Sequence, residues 1–305
     1  MIAAEPPDYV LVGHVTKDYL SPADLDARPD GGPVVAGSGR SWRYGGTVVY
    51  AGVAAQRLGR RVGIATSFAS DDKPPRQLEA IEIARASSAA TTTLAFDVGP
   101  SGGRSLRLLD RAADLALSDV PEAWRVAAIV HLAPVIGEVD LGLVGNLEPA
   151  LVGATLQGWL RHCTVGEMVT PLLDSSGWPD FGEVSAAVVS IEDLTDPAEG
   201  PRCAEARAEA IAGRVPVLVA TDGAKGCTLF HAGRQSHIAA CPVDEVDSTG
   251  AGDVFAASFF IRLSETSDPL KSARFASCAA ALSVEGVGTS RIPSRSEVLR
   301  LMSDL

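Results

Sequence analysis

The residues most able to do chemistry lie together at Val246-Asp247-Ser248-Thr249-Gly250-Ala251-Gly252-Asp253, which runs straight into the apolar stretch Val254–Leu263. Small residues at Gly250, Ala251 and Gly252 let a ligand approach the backbone closely. Their amides would sit at a helix N-terminus, where the aligned peptide dipoles favour negative charge. An Asp at the same helix start is placed to take a proton from a hydroxyl nucleophile while the amides hold a transferring phosphoryl group. Read alone, such a Gly-x-Gly is equally a strand-to-helix turn with Asp253 as an ordinary helix-start acid.

Other catalytic patterns are missing. His14, His131, His162, His231 and His237 show no metal spacing, and there is no Gly-x-Ser-x-Gly elbow. No Gly-x-x-x-x-Gly-Lys-[Ser/Thr] phosphate loop occurs, and no Gly-x-Gly-x-x-Gly follows the first apolar run, which weighs against a dinucleotide fold. The five cysteines form no CxxC pair and read as reduced thiols, mostly small core fillers.

Elements that must position the turn follow from periodicity. Apolar runs at Tyr9–Gly13, Val62–Thr66, Ala127–Leu132, Leu151–Leu156, Ala186–Ser190 and Val215–Ala220 predict strands. Between and after them, Gly46–Leu58, Pro75–Arg85, Val139–Leu147, Arg202–Ala212, Gly250–Leu263, Pro269–Ser283 and Ser294–Leu305 predict helices, the last opened by the capping-box spacing Ser294-x-x-Glu297. The alternation implies βαβ units around a mostly parallel sheet. Thr91–Asp97 and Arg104–Asp110, separated by Val98-Gly-Pro-Ser-Gly-Gly103, break the rhythm and predict a hairpin. With Ser38–Tyr44 it would form a small projecting sheet, a lid built from segments about 15–44 and 90–117. Arg28–Pro33 reads as a loop tip, and no repeat or linker divides residues 1–305 into a second domain.

With 305 residues, 46% of them hydrophobic, the chain can bury a large core. Lys+Arg 26 against Asp+Glu 38 gives a formal charge of −12, without the basic face of a nucleic-acid or anionic-membrane binder. The longest nearly apolar stretch, near Val48–Ala55, is too short to span a bilayer. Residues Met1–Asp8 carry neither a cationic region nor a long apolar one, so the expectation is a cytoplasmic protein with a small-molecule ligand.

The octapeptide resembles the carboxy-terminal signature of the ribokinase-like (PfkB) carbohydrate kinases. That resemblance implies a three-layer α/β/α sandwich with a small β-sheet lid, and Asp253 as catalytic base with Gly250, Ala251 and Gly252 as anion hole. Val12-Gly13-His14-Val15-Thr16-Lys17-Asp18 resembles the family's first strand and loop, implying acceptor contacts at Thr16 and Asp18. Tyr44-Gly45-Gly46 resembles its paired-glycine motif, implying backbone contacts at Gly45 and Gly46. Ser190 and Asp193 stand where the family has Asn-x-x-Glu, a pair that organises Mg²⁺-bound water and phosphate oxygens; both can still bind a water in the metal's outer shell, and Ser190 could instead cap a helix.

On the nucleotide side, Thr221-Asp222-Gly223-Ala224-Lys225-Gly226 resembles the family's Thr-x-Gly-x-x-Gly turn, which brings in Thr221, Gly223 and Gly226. Ser277 and Val284–Gly288 resemble its adenine-side helix and closing loop, where some members bind K⁺ through an Asp matching Asp247.

What the resemblance implies is an ATP-dependent kinase of a small sugar or polyol, using Mg²⁺ and in some members K⁺. Homodimerisation through the lid is the partner it suggests, although Arg104, Arg107 and Asp110 give that face a mixed character. Thr47 and Tyr50 replace the Lys and Asn expected for ribose, which argues against that sugar. Gln157-Gly158-Trp159-Leu160-Arg161 is similar to the inositol-kinase-like branch, and equally fits a buried aromatic beside a surface charge. A nucleoside kinase, stacking a base on Tyr44, Tyr50 or Phe96, and a non-catalytic ligand sensor with altered Ser190 and Asp193 remain the alternatives.

Overall fold

The runs rich in Val, Ile and Ala become the strands of one large sheet because each presents apolar side chains to both faces. In the computed structural model, which describes residues 5–19, 42–98, 104–196, 199 and 201–304, the elements run β1 (Tyr9–Val12), β2 (Thr16–Tyr19), β3 (Trp42–Gly45), α1 (Thr47–Arg57), β4 (Val62–Ala69), β5 (Glu82–Ser88), β6 (Thr92–Val98) and β7 (Arg104–Asp110). They continue β8 (Ile129–Leu132), β9 (Leu151–Thr155), β10 (Arg161–His162), β11 (Thr170–Pro171), β12 (Ala186–Ser190), α2 (Pro201–Ala212), β13 (Val217–Thr221), β14 (Cys227–His231), β15 (Arg234–Ile238), α3 (Ala251–Thr266), α4 (Pro269–Ser283) and α5 (Arg295–Ser303). The large sheet has nine strands in the order β15-β14-β13-β12-β9-β8-β1-β4-β5. From β13 to β5 every pairing is parallel, and β14 and β15 close one edge as an antiparallel hairpin.

Alternation along the strands sorts two cores. Tyr9, Leu11, Ile129, Val188 and Val219 face α1, α3 and α4. Val10, Val12, Val130, Leu132, Val189 and Leu218 face the other side, where α2 contributes Ala204, Ala208 and Ile211, and the buried aromatics Trp124, Trp159, Trp178 and Phe181 fill the rest. A second sheet, ordered β3-β2-β6-β7, joins the segments expected to form the lid. Its β2–β3 and β6–β7 pairs are antiparallel and β2–β6 is parallel. The expected contributions of 20–41, including Arg28–Pro33, and of the Gly-Pro-Ser-Gly-Gly turn lie outside the described residues.

Two predicted helices are corrected. Pro75–Arg85 is a short 3₁₀ turn (Arg76–Leu78) followed by β5. Leu78 and Ile81 are buried, and the following residues alternate between exposed and part-buried, so the open edge of β4 takes them up as a strand despite their helix propensity. Val139–Leu147 is a 3₁₀ segment, Leu141–Asn146, in which Gly142 and Gly145 disfavour an α-helix and Asp140 accepts from the Gly142 amide at 2.8 Å. The hairpin β14–β15 was not anticipated. The five cysteines are free thiols, three of them buried.

α3 carries the conspicuous turn at its start, so its seating matters most. Phe259 and Phe260 are fully buried, and Phe260 lies edge-on to His131 with ring centroids 4.9 Å apart. His131 sits between the Tyr9 hydroxyl (2.9 Å) and Thr155, and burial pushes its imidazole down to about 3, so it is a neutral core residue. Gly153 on β9 makes room for the Phe260 ring; a β-carbon there would come within 2.7 Å of it. Gly153→Ala should therefore destabilise the protein by about 1–3 kcal/mol through overpacking, read as a lower urea midpoint with an unchanged slope.

Candidate functional site

Two helices begin side by side and define the site. Gly46, with φ 89°, turns the chain from β3 into α1 at Thr47, and Gly250, with φ 80°, does the same before α3. A side chain at Gly250 would run into the ring of Tyr50 from α1, so this turn needs glycine for both backbone angle and space. Ala251 N–H donates to the Ser248 carbonyl at 3.2 Å, closing the turn, and the first helical bond runs from Val254 N–H to Gly250 at 2.9 Å. The amides of Gly252 and Asp253 precede that bond and have no helical acceptor. Gly252 is exposed and has open space where a β-carbon would be. Of the amides expected to form the anion hole, that of Ala251 is engaged in closing the turn, whereas Gly252 is exposed and lacks a helical acceptor.

Asp253 lies in the first turn of α3. It keeps a partly exposed edge, but its carboxyl is largely desolvated, and this pushes it up to about 7. The Thr47 hydroxyl donates to it and the Arg161 guanidinium attracts it, both lowering the value, while the charges of Asp18 and Asp193 raise it. One carboxyl near neutrality, two further carboxylates and an arginine therefore share the space at the two helix starts.

Asp18 enters from β2. Thr16 and Asp18 are the buried members of the alternating strand, and the Thr16 hydroxyl donates to Asp18 Oδ1 at 2.7 Å. Gly45 lies opposite Thr16, and its missing side chain makes room for the Asp18 carboxylate. The other face is braced by the Lys17–Asp72 ion pair at 2.6 Å, Lys17 over the Trp42 ring and the Thr91 hydroxyl on Asp72. Asp193, in the 3₁₀ turn after β12, pairs with Arg161 at 3.0 Å. Arg161, which fits either a branch-like loop or a surface charge in the sequence, is mostly buried in this pair rather than a surface charge. Trp159, its neighbour, is the buried aromatic of the alternative reading, donating to the Val139 carbonyl at 2.7 Å. Thr47 and Tyr50, departures from a ribose pattern and, for Tyr50, a candidate stacking ring, meet the second turn: the Thr47 hydroxyl lowers the Asp253 pKa and the Tyr50 ring abuts Gly250.

Asp247 precedes the turn. Its Oδ1 accepts from the Thr249 amide (3.0 Å) and hydroxyl (2.6 Å), and its Oδ2 from the Gly288 amide (3.1 Å) and Arg43 Nη1 (3.2 Å). These donors and the arginine charge outweigh desolvation and hold the carboxyl below the usual range. Arg43, on β3 directly across from Asp18, was not singled out from sequence; its partner is 204 residues away. Its Nε is buried without a hydrogen-bond partner among the described residues.

Toward the end of the sheet, Ser190 and Thr221 are paired at the carboxyl ends of β12 and β13, the edge where open α/β sheets bind ligands. Ser190 Oγ accepts from the Glu192 amide at 3.2 Å, a contact two residues on; the N-cap of the turn that follows is Ile191. Gly226, with φ 93°, closes the Gly223–Lys225 turn beside the Ile238 carbonyl, and Ser277 on α4 donates to the Ala239 carbonyl. Among the described residues no hydrogen bond links Thr221, Gly223, Gly226 or Ser277 to the Asp253 cluster.

Residues 188–295 match the family model described as pfkB family carbohydrate kinase. That segment holds the octapeptide and Ser190 through Gly288. Ribokinase from Bacillus subtilis (strain 168) is 40% identical over 96 residues, 31% of this chain and 33% of that protein, so the alignment spans only a third of the relative. A solved pyrophosphate-dependent kinase in the ribokinase family, complexed with a pyrophosphate analog and myo-inositol, superposes with a TM-score of 0.73 over 96% of this chain and 99% of its own, at 21% identity.

The fold is ribokinase-like. Arabidopsis thaliana ribokinase, solved with ribose and ATP, gives a TM-score of 0.69 over 97% of this chain and 98% of its own, also at 21% identity. The chain thus resembles the PfkB carbohydrate kinases in both motif and architecture, as its octapeptide implied. No helix among the described residues is long and apolar enough to cross a membrane.

The electrostatics can be tested without any assay of turnover. In a carboxyl ¹³C titration Asp253 should titrate near pH 7, moving upward in Arg161→Met, which removes an attracting cation, and downward in Asp193→Asn, which removes a repelling anion. Linkage gives a second test. A carboxyl raised from an ordinary value near 3.8 to about 7 favours folding less and less as pH climbs between those values, with the full penalty above 7. Asp253→Asn should therefore raise the thermal midpoint, and by more at pH 8 than at pH 4.

Proposed function

We propose that this ribokinase-like chain is an ATP-dependent phosphotransferase acting on a hydroxyl of a small sugar or polyol. The observation that carries the reading is the Asp253 carboxyl, poised near neutrality beside the open Gly252 amide and within electrostatic reach of Asp18. A base is most effective with a pKa near working pH, and here desolvation provides it.

In the proposed reaction, Asp18 and the backbone of Gly45 and Gly46 orient the acceptor hydroxyl toward Asp253. The hydroxyl proton passes to Asp253, the oxygen bonds to the γ-phosphorus, and the bond to the bridging oxygen breaks, releasing ADP. The Gly252 and Asp253 amides, at the positive end of a sixteen-residue helix, face the charge on the group in transfer, with Gly250 allowing the close approach. Arg161 supplies positive charge to the same space. With a pKa near 7, Asp253 returns its proton to solvent easily.

Mg²⁺ fits this site as a metal held through water. Arg161 takes Oδ1 of Asp193, leaving Oδ2 without a donor among the described residues, and the Ser190 hydroxyl stands at the adjacent strand end. Among the described residues no cluster of three or more His, Cys, Asp or Glu could bind a metal directly, consistent with an ion that keeps most of its waters. When bound it would neutralise phosphate charge. Thr221, Gly223, Gly226, Ser277 and Gly288 would line the nucleotide, and the β2-β3-β6-β7 sheet would cover the acceptor and exclude water.

The deciding experiment is an ADP- or phosphate-release screen against polyols, aldoses, ketoses and nucleosides, with Mg-ATP and with pyrophosphate as donors. Asp253→Asn should lower turnover by about 10²–10⁴-fold while leaving ATP binding nearly unchanged. A wild-type protein that binds ATP yet transfers phosphate to nothing in the panel would refute the kinase reading.

A further inference from the structure

We infer that the guanidinium of Arg43 is a built-in cation for Asp247, standing where related kinases can hold K⁺, so that the turn before α3 is set without a monovalent ion. An ionised carboxylate offers about four acceptor positions on its two oxygens. Among the described residues alone, four donors reach the oxygens of Asp247: two from Thr249, one from Gly288 and one from Arg43. A coordinated K⁺ would have to displace one of these. The Arg43–Asp247 pair also satisfies the charge K⁺ would balance, and both side chains are mostly buried, 14% and 15% exposed, so solvent screens it little. The donor set does not fit a monovalent ion.

Position makes this more than a local ion pair. Arg43 lies on β3, opposite Asp18 and three residues before Gly46 and the start of α1. Asp247 lies three residues before Gly250 and is bonded to Gly288 in the loop expected to close the nucleotide pocket. The pair thus fastens the acceptor-side sheet to the phosphate turn and to the nucleotide-side loop. Through Asp247 it acts as a positioning residue for the Gly250–Asp253 amides. A free ion could balance charge at Asp247, but it could not transmit the position of β3.

The test has a binding arm that requires no turnover. The thermal midpoint of ligand-free protein is measured in KCl and in tetramethylammonium chloride at equal ionic strength, for wild type and Arg43→Met. Wild type should show no K⁺-specific change, whereas Arg43→Met, in which the Arg43 position on Asp247 Oδ2 is vacated, should gain about 2–3 °C in K⁺. A K⁺-specific rise in wild type overturns the inference, and so does an Arg43→Met protein indifferent to K⁺. If Arg43→Met fails to fold, Arg43→Gln replaces it, and the wild-type titration is decisive on its own.

The kinetic arm rests on the kinase reading. Wild-type turnover should agree within about twofold in the two salts, and Arg43→Met should lose about tenfold or more and regain part of it in K⁺ alone. Wild-type turnover that requires K⁺ overturns the inference. If no acceptor is found, the kinase reading fails while the binding arm still decides the role of Arg43.

Discussion

Everything around the site follows from keeping one carboxyl short of water at the start of a helix. The helix dipole favours a negative Asp253, and the Thr47 hydroxyl donates to it, yet desolvation outweighs both. Such a group destabilises the fold once ionised, so the surrounding packing has to offset it. That packing is visible on both sides. Phe259 and Phe260 fix α3 to the sheet over Gly153, and the Tyr50 ring fixes the turn from the α1 side at Gly250. Neither glycine can gain a side chain without moving the carboxyl.

The charge balance works on two scales. Overall the chain is strongly acidic, at −12, a poor environment for a polyanionic donor. Beyond about 8 Å, however, exposed charges are screened at physiological salt. Within that range Arg161 is paired with Asp193 near Asp253, and Arg43 with Asp247 beside the Gly250–Asp253 turn. Each guanidinium is partly neutralised by its carboxylate, so it can be buried without being stranded. The carboxylates of the site outnumber its two guanidiniums, so what favours an anion there is the row of amides at the start of α3.

How much of this could be read in the sequence depended on how local its cause was. The parallel strands were legible because burial on both faces demands continuous apolar runs, as at Val62–Ala69 and Ala186–Ser190. The turn at Gly250–Asp253 was legible because backbone angle, close approach and helix start all select the same small residues. β5 was not, because Glu82–Ser88 becomes a strand only when the free edge of β4 is beside it. Hairpin β14–β15 carries polar residues on an edge, with a weak apolar signal for the same reason. Arg43 carries no sequence signal, and the segment holding Arg161 gives no hint of its partner, because those partners lie 204 and 32 residues away and no spacing rule links them.

Those long-range pairs constrain how the small sheet can move. A lid is usually pictured as a flap that swings about a hinge, and Gly46, with its positive φ, would be the natural one. Yet β3 runs through Gly46 directly into α1, whose Val48, Val49, Tyr50 and Ala51 are buried in the core. Arg43 ties the same strand to Asp247, and the Asp18 carboxylate fills the space beside Gly45. β2 and β3 are thereby tied to α1 and to the residues before α3. Any closing motion must come from β6 and β7, which meet β2 through the β2–β6 pairing and carry a register irregularity at Thr93 and Leu94. A register irregularity interrupts the ladder and bends the strand, so the small sheet is least regular at β6 and β7, while the strand bearing Arg43 and Gly45 is tied to the Gly250–Asp253 turn.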